Sequence, residues 1–505
     1  MTGVQASPVL APPSGTDRFD RGRRTVGLIA GPVVALAVYA NAGALAPAQR
    51  SLAAVMVFVV IFWATEPIPI PVTALLGLAL ASVAGVAPPP EVFGAFSSPV
   101  IFLFIGSFII ARAMTIHGLD RRFAFRVLSL PGVAQSTYRI VVAFGVCAAL
   151  LSSVISNTAA VAMLLPIAVG VLRAISELLP ANLRGGPRLR LGTALMLMTA
   201  YGASVGGLLT PIGSPANLIG REFIAELTGV EISFFGWMLM TLPIVVAMFA
   251  VLSVVLLLLN RPEVRRLEGA TEYIRGERSA LGPLTRAERN TLLAFAVAVT
   301  LWVLPGIVGL LVGESSSVAT LLGERADEGT VAILAAALLF LLPVDWPQRR
   351  FTLSWEQAVR IDWGTVLLFG SGIALGTLLS DTGLAGRLGG SLATSLGMTS
   401  LITLTASAAL AAVLLSETTS NTAAVGIVVP ILIPVAQAAG VDPLIPALAA
   451  VFGASYGFML PVSTPPNAIV YASGMVPITR MLRSGAAFDV AGVLLITAGL
   501  LLLGR

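Results

Sequence analysis

The chain has no lysine, one cysteine (Cys147) and one histidine (His117) in 505 residues. A lone cysteine excludes an internal disulfide. One cysteine and one histidine are too few nitrogen and sulfur ligands for a zinc site. Most chemistry that relies on a histidine base goes with them. Charge is also scarce, at 11% of residues against about 25% in a soluble domain. Apolar types make up 57%, and they recur in runs of about 20, the length of one helical crossing of a bilayer. The fold class read from this is an all-α polytopic membrane protein.

The formal net charge is +5, which raises the question of a nucleic-acid partner. The arginines that supply it lie in short segments between apolar runs. That is the positive-inside pattern of membrane topology, so the partner read from it is the lipid bilayer and no nucleic acid. Residues 1–24 are polar and contain proline, and Arg18, Arg21, Arg23 and Arg24 precede the first apolar run. A disordered cytoplasmic tail followed by a retained helix is expected, since a cleaved signal would have a short basic start and a short apolar stretch.

With the N-terminus inside, crossings are expected at about 26–46, 51–66 and 71–88, within an N-terminal scaffold segment 25–97. A first repeat follows at 98–228. It begins with a crossing at 98–116 and an amphipathic interfacial stretch at 120–134. The apolar stretch 137–176 has Arg139 before it and Arg184, Arg188 and Arg190 after it. With both flanks inside, it must enter and leave on one face as a re-entrant hairpin, which is tolerated only where it is buried or lines a cavity. A broken crossing, 194–228, is interrupted at Thr210-Pro211-Ile212-Gly213-Ser214-Pro215. A scaffold helix at 229–260, a cytoplasmic loop at 261–290, and scaffold helices with an interfacial segment at 291–362 lead to the second repeat, 363–479. That repeat holds a hairpin at 400–439 and a broken crossing at 445–474. A last helix in 480–505 ends outside. The reading totals about eleven crossings and two hairpins.

Two motifs occur twice. Leu-Leu-Ser, three residues, then Ser-Asn-Thr-Ala-Ala-Val appears at 150–161 and at 414–425. Gly202–Asn217 (GASVGGLLTPIGSPAN) pairs with Gly453–Asn467 (GASYGFMLPVSTPPN). The arginine flanks put the first hairpin inside and the second outside. The halves are therefore expected to be inverted, with paired broken helices and a site near the midplane, the plan of secondary transporters. Breaks at that depth free backbone carbonyls, which suit a hard cation such as Na⁺. Helix N-termini with Asn and Thr donors suit an anion. The apolar interior around the motifs lacks an arginine cluster, so an anionic substrate is expected to be balanced by bound cations, dipoles and amides.

Several features point to packing instead of chemistry. Gly202-Ala203-Ser204-Val205-Gly206 and Gly453-Ala454-Ser455-Tyr456-Gly457 fit the nucleophile-elbow pattern, but they lie in apolar helical stretches without a histidine base. Small-residue helix packing explains them better, and no enzymatic activity is read from the chain. Glu417 stands in the second hairpin where the first has Val154, which favours a structural hydrogen bond. His117 lies beside Arg121 and Arg122 at a helix end and reads as interfacial.

These motifs, and above all Met459-Leu460-Pro461-Val462-Ser463-Thr464-Pro465-Pro466-Asn467-Ala468-Ile469-Val470, resemble the divalent-anion:sodium symporter family of dicarboxylate, citrate and sulfate carriers, over about 95–475. The resemblance implies a homodimer with a scaffold and a moving transport domain working as an elevator in the cell inner (plasma) membrane. It implies one sodium site at Ser152, Ser156, Asn157 and Gly213, and a second at Ser416, Thr419, Asn421 and Ser463. The substrate carboxylates would meet Asn157, Thr158, Ser420, Asn421 and Thr422, with Thr464 and Pro465 alongside. Two positions depart from the family pattern: Pro215-Ala216-Asn217 lacks a second proline, and Ser463 stands where a smaller residue is common. Sodium-coupled uptake of a small dicarboxylate is the expected function. Sulfate symport, sodium-independent dicarboxylate exchange and an anion channel are the other readings.

Overall fold

The computed structural model describes residues 16–178, 189–265, 270–313, 316–396 and 400–503. Most of the tail (1–15) and the loop bearing Arg184 and Arg188 lie outside these. The helices run in chain order as α1 Thr16–Asn41, α2 Pro47–Thr65, α3 Ile70–Val83, α4 Pro89–Gly94, α5 Pro99–Ile116, α6 Leu119–Leu128, α7 Thr137–Ser152 and α8 Asn157–Leu178. They continue with α9 Arg190–Gly206, α10 Pro215–Thr228, α11 Phe234–Leu259, α12 Ala270–Ala280, α13 Arg286–Val312, α14 Ser317–Arg325, α15 Glu328–Leu341 and α16 Trp355–Ala358. The rest are α17 Trp363–Asp381, α18 Leu384–Leu396, α19 Leu401–Thr418, α20 Asn421–Ala438, α21 Leu444–Ala454, α22 Pro465–Ala472 and α23 Ile478–Leu503.

Each expected hairpin is a pair of helices packed on each other, α7 with α8 and α19 with α20. Each expected broken crossing is a helix, an irregular turn and a second helix: α9 and α10, then α21 and α22. The order after α5 (span, amphipathic helix, hairpin, broken helix, span) recurs after α17. The packing is reciprocal as well. α7 lies on α9 as α19 lies on α21, and α11 lies on α9 as α23 lies on α21. The second segment of each broken helix crosses to the other half: α10 packs on α20, and α22 packs on α8.

The apolar pattern explains which helices sit inside. Every residue of α9 from Leu191 to Gly206 is buried, and so is every residue of α21 from Pro446 to Ala454. A helix apolar all round belongs in the interior. Close approach is achieved by small residues. A Cβ on Gly202 would sit 3.0 Å from the Gly145 carbonyl of α7, and one on Gly206 would overlap the Ala149 backbone. The two elbow-like motifs are thus explained as packing: the first supplies the α7–α9 contact, and a Cβ on Gly453 would lie 2.7 Å from the Ala409 carbonyl oxygen of α19. By contrast, α11, α13 and α23 expose large apolar side chains such as Val246, Leu311 and Leu494, as lipid-facing helices do. Exposed Trp346, Trp355 and Trp363 accompany Arg349, Arg350 and Arg360 around a short β-hairpin, Pro343–Asp345 with Arg350–Phe351, a composition suited to the headgroup region.

Several boundaries differ from expectation. Residues 16–24 are not disordered but form the first turns of α1; the arginines there are compatible with helix, and Arg23 finds a partner in Glu66 at 3.8 Å. The loop 261–290 contains α12, whose Glu and Arg residues disguise a helix as a charged linker. Helix α18 was not expected, because its glycines and small polar residues break the apolar run. The last helix starts at Ile478, ahead of the apolar stretch, and takes Arg480 and Arg483 into its first turns.

Candidate functional site

At the first hairpin tip, α7 ends at Ser152 and α8 begins at Asn157. The buried Ser152 hydroxyl donates to Asn157 Oδ1 at 2.5 Å. Ser156 is exposed, and its hydroxyl accepts from the Ala159 N–H at 3.3 Å, capping α8. Such a cap satisfies one of the unpaired N–H groups of the first turn. The second tip repeats the arrangement. The buried Ser416 hydroxyl donates to Asn421 Oδ1 at 2.9 Å and to the Ala454 carbonyl at 2.7 Å. Ser420 caps α20 through the Ala423 N–H at 3.2 Å. Thr158 and Thr422 occupy the first turns of α8 and α20, both half-buried. The Thr419 hydroxyl donates back to the Leu415 carbonyl of its own helix at 2.9 Å.

The breaks are held open by two asparagines. Asn217 donates to the carbonyls of Gly207 at 2.7 Å and Thr210 at 2.9 Å. Asn467 donates to those of Gly457 at 2.8 Å and Leu460 at 3.0 Å. The spacing is ten and seven residues in both halves, so Gly213 corresponds to Ser463 and Ser214 to Thr464. Thr210, whose hydroxyl donates to the Ser153 carbonyl, also accepts the Gly213 N–H at 3.1 Å, and Thr464 accepts the Asn467 N–H at 3.3 Å. Pro215 and Pro465 open the helices beyond the breaks, where a missing N–H costs nothing. Pro465 is exposed, whereas Ser463 and Thr464 are buried.

Oxygen atoms converge at both breaks. A Cβ on Gly213 would lie 2.5 Å from the Gly207 carbonyl oxygen and 2.9 Å from that of Ser152. One on Gly207 would meet Asn157 Oδ1 and would lie 3.2 Å from the Gly213 carbonyl oxygen. In the second half, a Cβ on Gly457 would lie 2.9 Å from the Ser416 carbonyl oxygen and 3.1 Å from its hydroxyl. The Oδ1 atoms of Asn217 and Asn467 are buried and have no hydrogen-bond partner. Uncharged oxygen donors with unspent lone pairs fit a hard cation that tolerates carbonyl ligands. Among the described residues no cluster of three His, Cys, Asp or Glu suits a transition metal.

The motifs had drawn attention to the tips and breaks; three further features emerge only in three dimensions. The two asparagines had served to align the repeats and turn out to be clamps. Glu417 ties the second hairpin to the second break: it accepts from the N–H groups of Phe458 at 2.6 Å and Met459 at 2.9 Å, and from the Ser463 hydroxyl at 2.7 Å. Arg23 of α1 donates to the Thr418 carbonyl at 3.3 Å. One guanidinium therefore does approach the second tip, although none had been expected near it; its distance in sequence hid it. His117 lies at the end of α5, with a ring nitrogen 2.8 Å from the Thr352 carbonyl.

Two inward-broken helices, two capped hairpins and reciprocal packing define a membrane transporter of the inverted-repeat class. The model of the sodium:sulfate symporter transmembrane region matches residues 23–503, and the chain belongs to that family. It is 33% identical to the sodium-dependent dicarboxylate transporter SdcS of Staphylococcus saprophyticus over 445 residues, 88% of this chain and 84% of that one. It is equally identical to SdcS of Staphylococcus aureus strain USA300 over 434 residues, 86% and 81% of the two chains. Among solved structures, the YdaH transporter of Alcanivorax borkumensis shares the fold, with a TM-score of 0.51 at 14% identity over 80% of this chain and 85% of that one.

Proposed function

We propose that the chain is a secondary active transporter that takes up C4-dicarboxylates, of the size of succinate, coupled to Na⁺. The observation that carries the proposal is the mirrored pair Ser152–Asn157 and Ser416–Asn421, each at the start of a helix and beside a carbonyl-lined break. The dicarboxylate assignment leans on the relatives named sodium-dependent dicarboxylate transporters.

The roles are those the family resemblance implies, and the convergence of oxygens at the breaks supports them. Carbonyl oxygens of Ser152 and Gly213, with the side chain of Asn157 and the Ser156 backbone, hold one Na⁺. Ser416, Thr419, Asn421 and Ser463 hold a second. Asn157, Thr158, Ser420, Asn421 and Thr422 donate to the two carboxylates, flanked by Thr464 and Pro465. The helix N-termini at 157 and 421 add partial positive charge. The dianion enters a site whose charge is balanced chiefly by the bound cations, so its affinity depends on sodium. The proposal includes a homodimer in the plasma membrane, a cytoplasmic N-terminus, an outside C-terminus and elevator movement of the hairpins and broken helices past the outer helices. Arginine placement supports the orientation.

The test is uptake of labelled succinate into proteoliposomes with a sodium gradient. Asn157→Ala and Asn421→Ala are each expected to abolish uptake in protein that still assembles. Normal uptake by both refutes the assignment. The family description names sulfate; suppression of succinate uptake by excess sulfate would move the substrate to that anion, and uptake surviving replacement of Na⁺ by choline would make the protein an exchanger.

A further inference from the structure

Where α11 ends beside the start of the first hairpin, the surface holds a groove of about 690 Å³. Three arginines line it: Arg139 from α7, and Arg261 and Arg265 from the segment that follows α11. That segment is pinned at both ends. The Thr137 hydroxyl donates to the Val264 carbonyl at 2.6 Å, and the Thr137 N–H donates to the Arg265 carbonyl at 3.3 Å. Asn260 donates to the Ser484 hydroxyl of α23 at 3.0 Å. Arg139 in turn donates to the Gly132 carbonyl at 3.2 Å. Hydrogen bonds thus bring three like charges to one groove, where they repel one another, and an anion among them relieves the repulsion.

The protein supplies no such anion. Arginines elsewhere meet acids: Arg121 meets Glu277 at 2.7 Å, Arg122 meets Glu288 at 2.8 Å, and Arg221 meets Glu328 at 2.7 Å. Among the described residues no carboxylate pairs with Arg139, Arg261 or Arg265. Glu263 stands between two of them in sequence, but its carboxylate oxygens accept the N–H groups of Arg190 and Leu191 at the start of α9, at 2.5 and 3.2 Å.

The remaining lining is apolar. Val254, Leu257 and Leu258 come from the last turns of α11, and Val254 and Leu258 are more than half exposed. They end a stripe of exposed apolar residues at every fourth position, 242, 246, 250, 254 and 258, a spacing that keeps them on one helix face. Tyr138 also lines the groove, an aromatic type enriched at headgroup level. The complementary ligand is an amphiphile with an anionic head and a long apolar chain. A free phosphate matches the arginines and leaves the stripe unmatched. A zwitterionic lipid matches the stripe and brings its own cation to the arginines.

We propose that this groove binds one anionic phospholipid, with its phosphate among Arg139, Arg261 and Arg265 and an acyl chain along α11. Basic pockets beside spanning helices hold such headgroups, and each arginine contributes about fivefold to the affinity. The lipid bridges α7, the first arm of the hairpin, and α11.

The probe is phosphatidylglycerol, with phosphatidylcholine as the zwitterionic comparison, added to the purified full-length protein in detergent and read by native mass spectrometry. The unaltered chain is expected to retain phosphatidylglycerol in preference to phosphatidylcholine, and excess inorganic phosphate is expected not to displace it. Phosphatidylglycerol with a photoreactive acyl chain is expected to label residues 254–258. Arg261→Gln combined with Arg265→Gln is expected to weaken phosphatidylglycerol binding about 25-fold, whereas Arg349→Gln combined with Arg350→Gln, which removes the same charge at the β-hairpin, is expected to leave it unchanged. Equal retention of the two lipids, displacement by inorganic phosphate, labelling confined to other helices, unchanged binding by the first double variant, or an equal loss in both double variants overturns the proposal. The lipid preference and the labelling are read on the unaltered chain, so they decide the matter even if a variant fails to assemble. None of these readouts uses a transported anion or a sodium gradient, so failure of the dicarboxylate reading leaves the lipid site standing.

Discussion

Substitution of Gly213 by Ala asks whether the first break is a cation pocket or merely a kink. Gly213 closes the turn Pro211–Gly213 and has ordinary backbone angles, so alanine brings no conformational strain there. It brings a methyl group 2.5 Å from the Gly207 carbonyl oxygen and 2.9 Å from that of Ser152. Both neighbours are backbone, fixed by the end of α7 and the end of α9, and neither can rotate away. Inserting a methylene into such a space costs about 1–3 kcal/mol, which is roughly 5- to 150-fold in an equilibrium constant. One of the crowded atoms, the Ser152 carbonyl oxygen, is assigned to Na⁺, and the other, on Gly207, lines the same break, so the cost falls on sodium affinity. The assay is succinate uptake against sodium concentration in proteoliposomes, with Gly276→Ala as control, since a Cβ at that position on α12 meets nothing within 4 Å. Gly213→Ala is expected to need on the order of tenfold more sodium, with much of the rate recovered at saturation. A sodium dependence equal to that of the control, in protein that elutes as assembled, refutes the pocket.

Asn217→Ala and Asn467→Ala each strand two buried carbonyls, at about 1–3 kcal/mol per group; both are expected to lower the apparent melting temperature in detergent by several degrees, and an unchanged melt would remove their role as clamps. Burial holds the Asp120 carboxyl of the amphipathic helix α6 above its ordinary value of 3.8. A raised acid loses stability as pH climbs from that ordinary value through the folded one, so Asp120→Asn is expected to be the more stable form at neutral pH. That advantage should disappear below about pH 3.8, where both states of the wild type are protonated. A melting temperature lowered by Asp120→Asn at neutral pH contradicts this.

Much of the fold was legible because the bilayer enforces it. Apolar runs gave most of the long helices within a few residues, and the repeated Ser-Asn-Thr segments marked where helices must restart. What escaped were elements whose stability comes from partners instead of composition. Helix α12 reads as a charged loop, yet Glu277 pairs with Arg121 of α6 at 2.7 Å. The asparagine clamps look like alignment markers until their carbonyl partners ten and seven residues back are known. Arg23 and Thr418 are 395 positions apart, and no local pattern connects them. Glu417 was different: the absence of an acid at Val154 in the first hairpin already favoured a structural hydrogen bond, and its three donors are of that kind, although they come from the second break and not from the hairpin itself.

The reciprocal packing gives a physical basis for coupling that neither half has alone. Helix α10 starts at Pro215, two residues after Gly213, and leans on α20, which starts at Asn421. Helix α22 starts at Pro465, two residues after Ser463, and leans on α8, which starts at Asn157. Each break therefore positions a helix against the arm that carries the other half's tip asparagine, the one proposed to meet the substrate. A cation that tightens one break shifts the tip in the opposite half, because packed interiors transmit displacement instead of absorbing it. On the proposed assignment, filling both breaks would draw the two tips into register together, whereas filling one would place a single tip; two cations and one substrate would then bind as a set because the polypeptide crosses over between the proposed pockets.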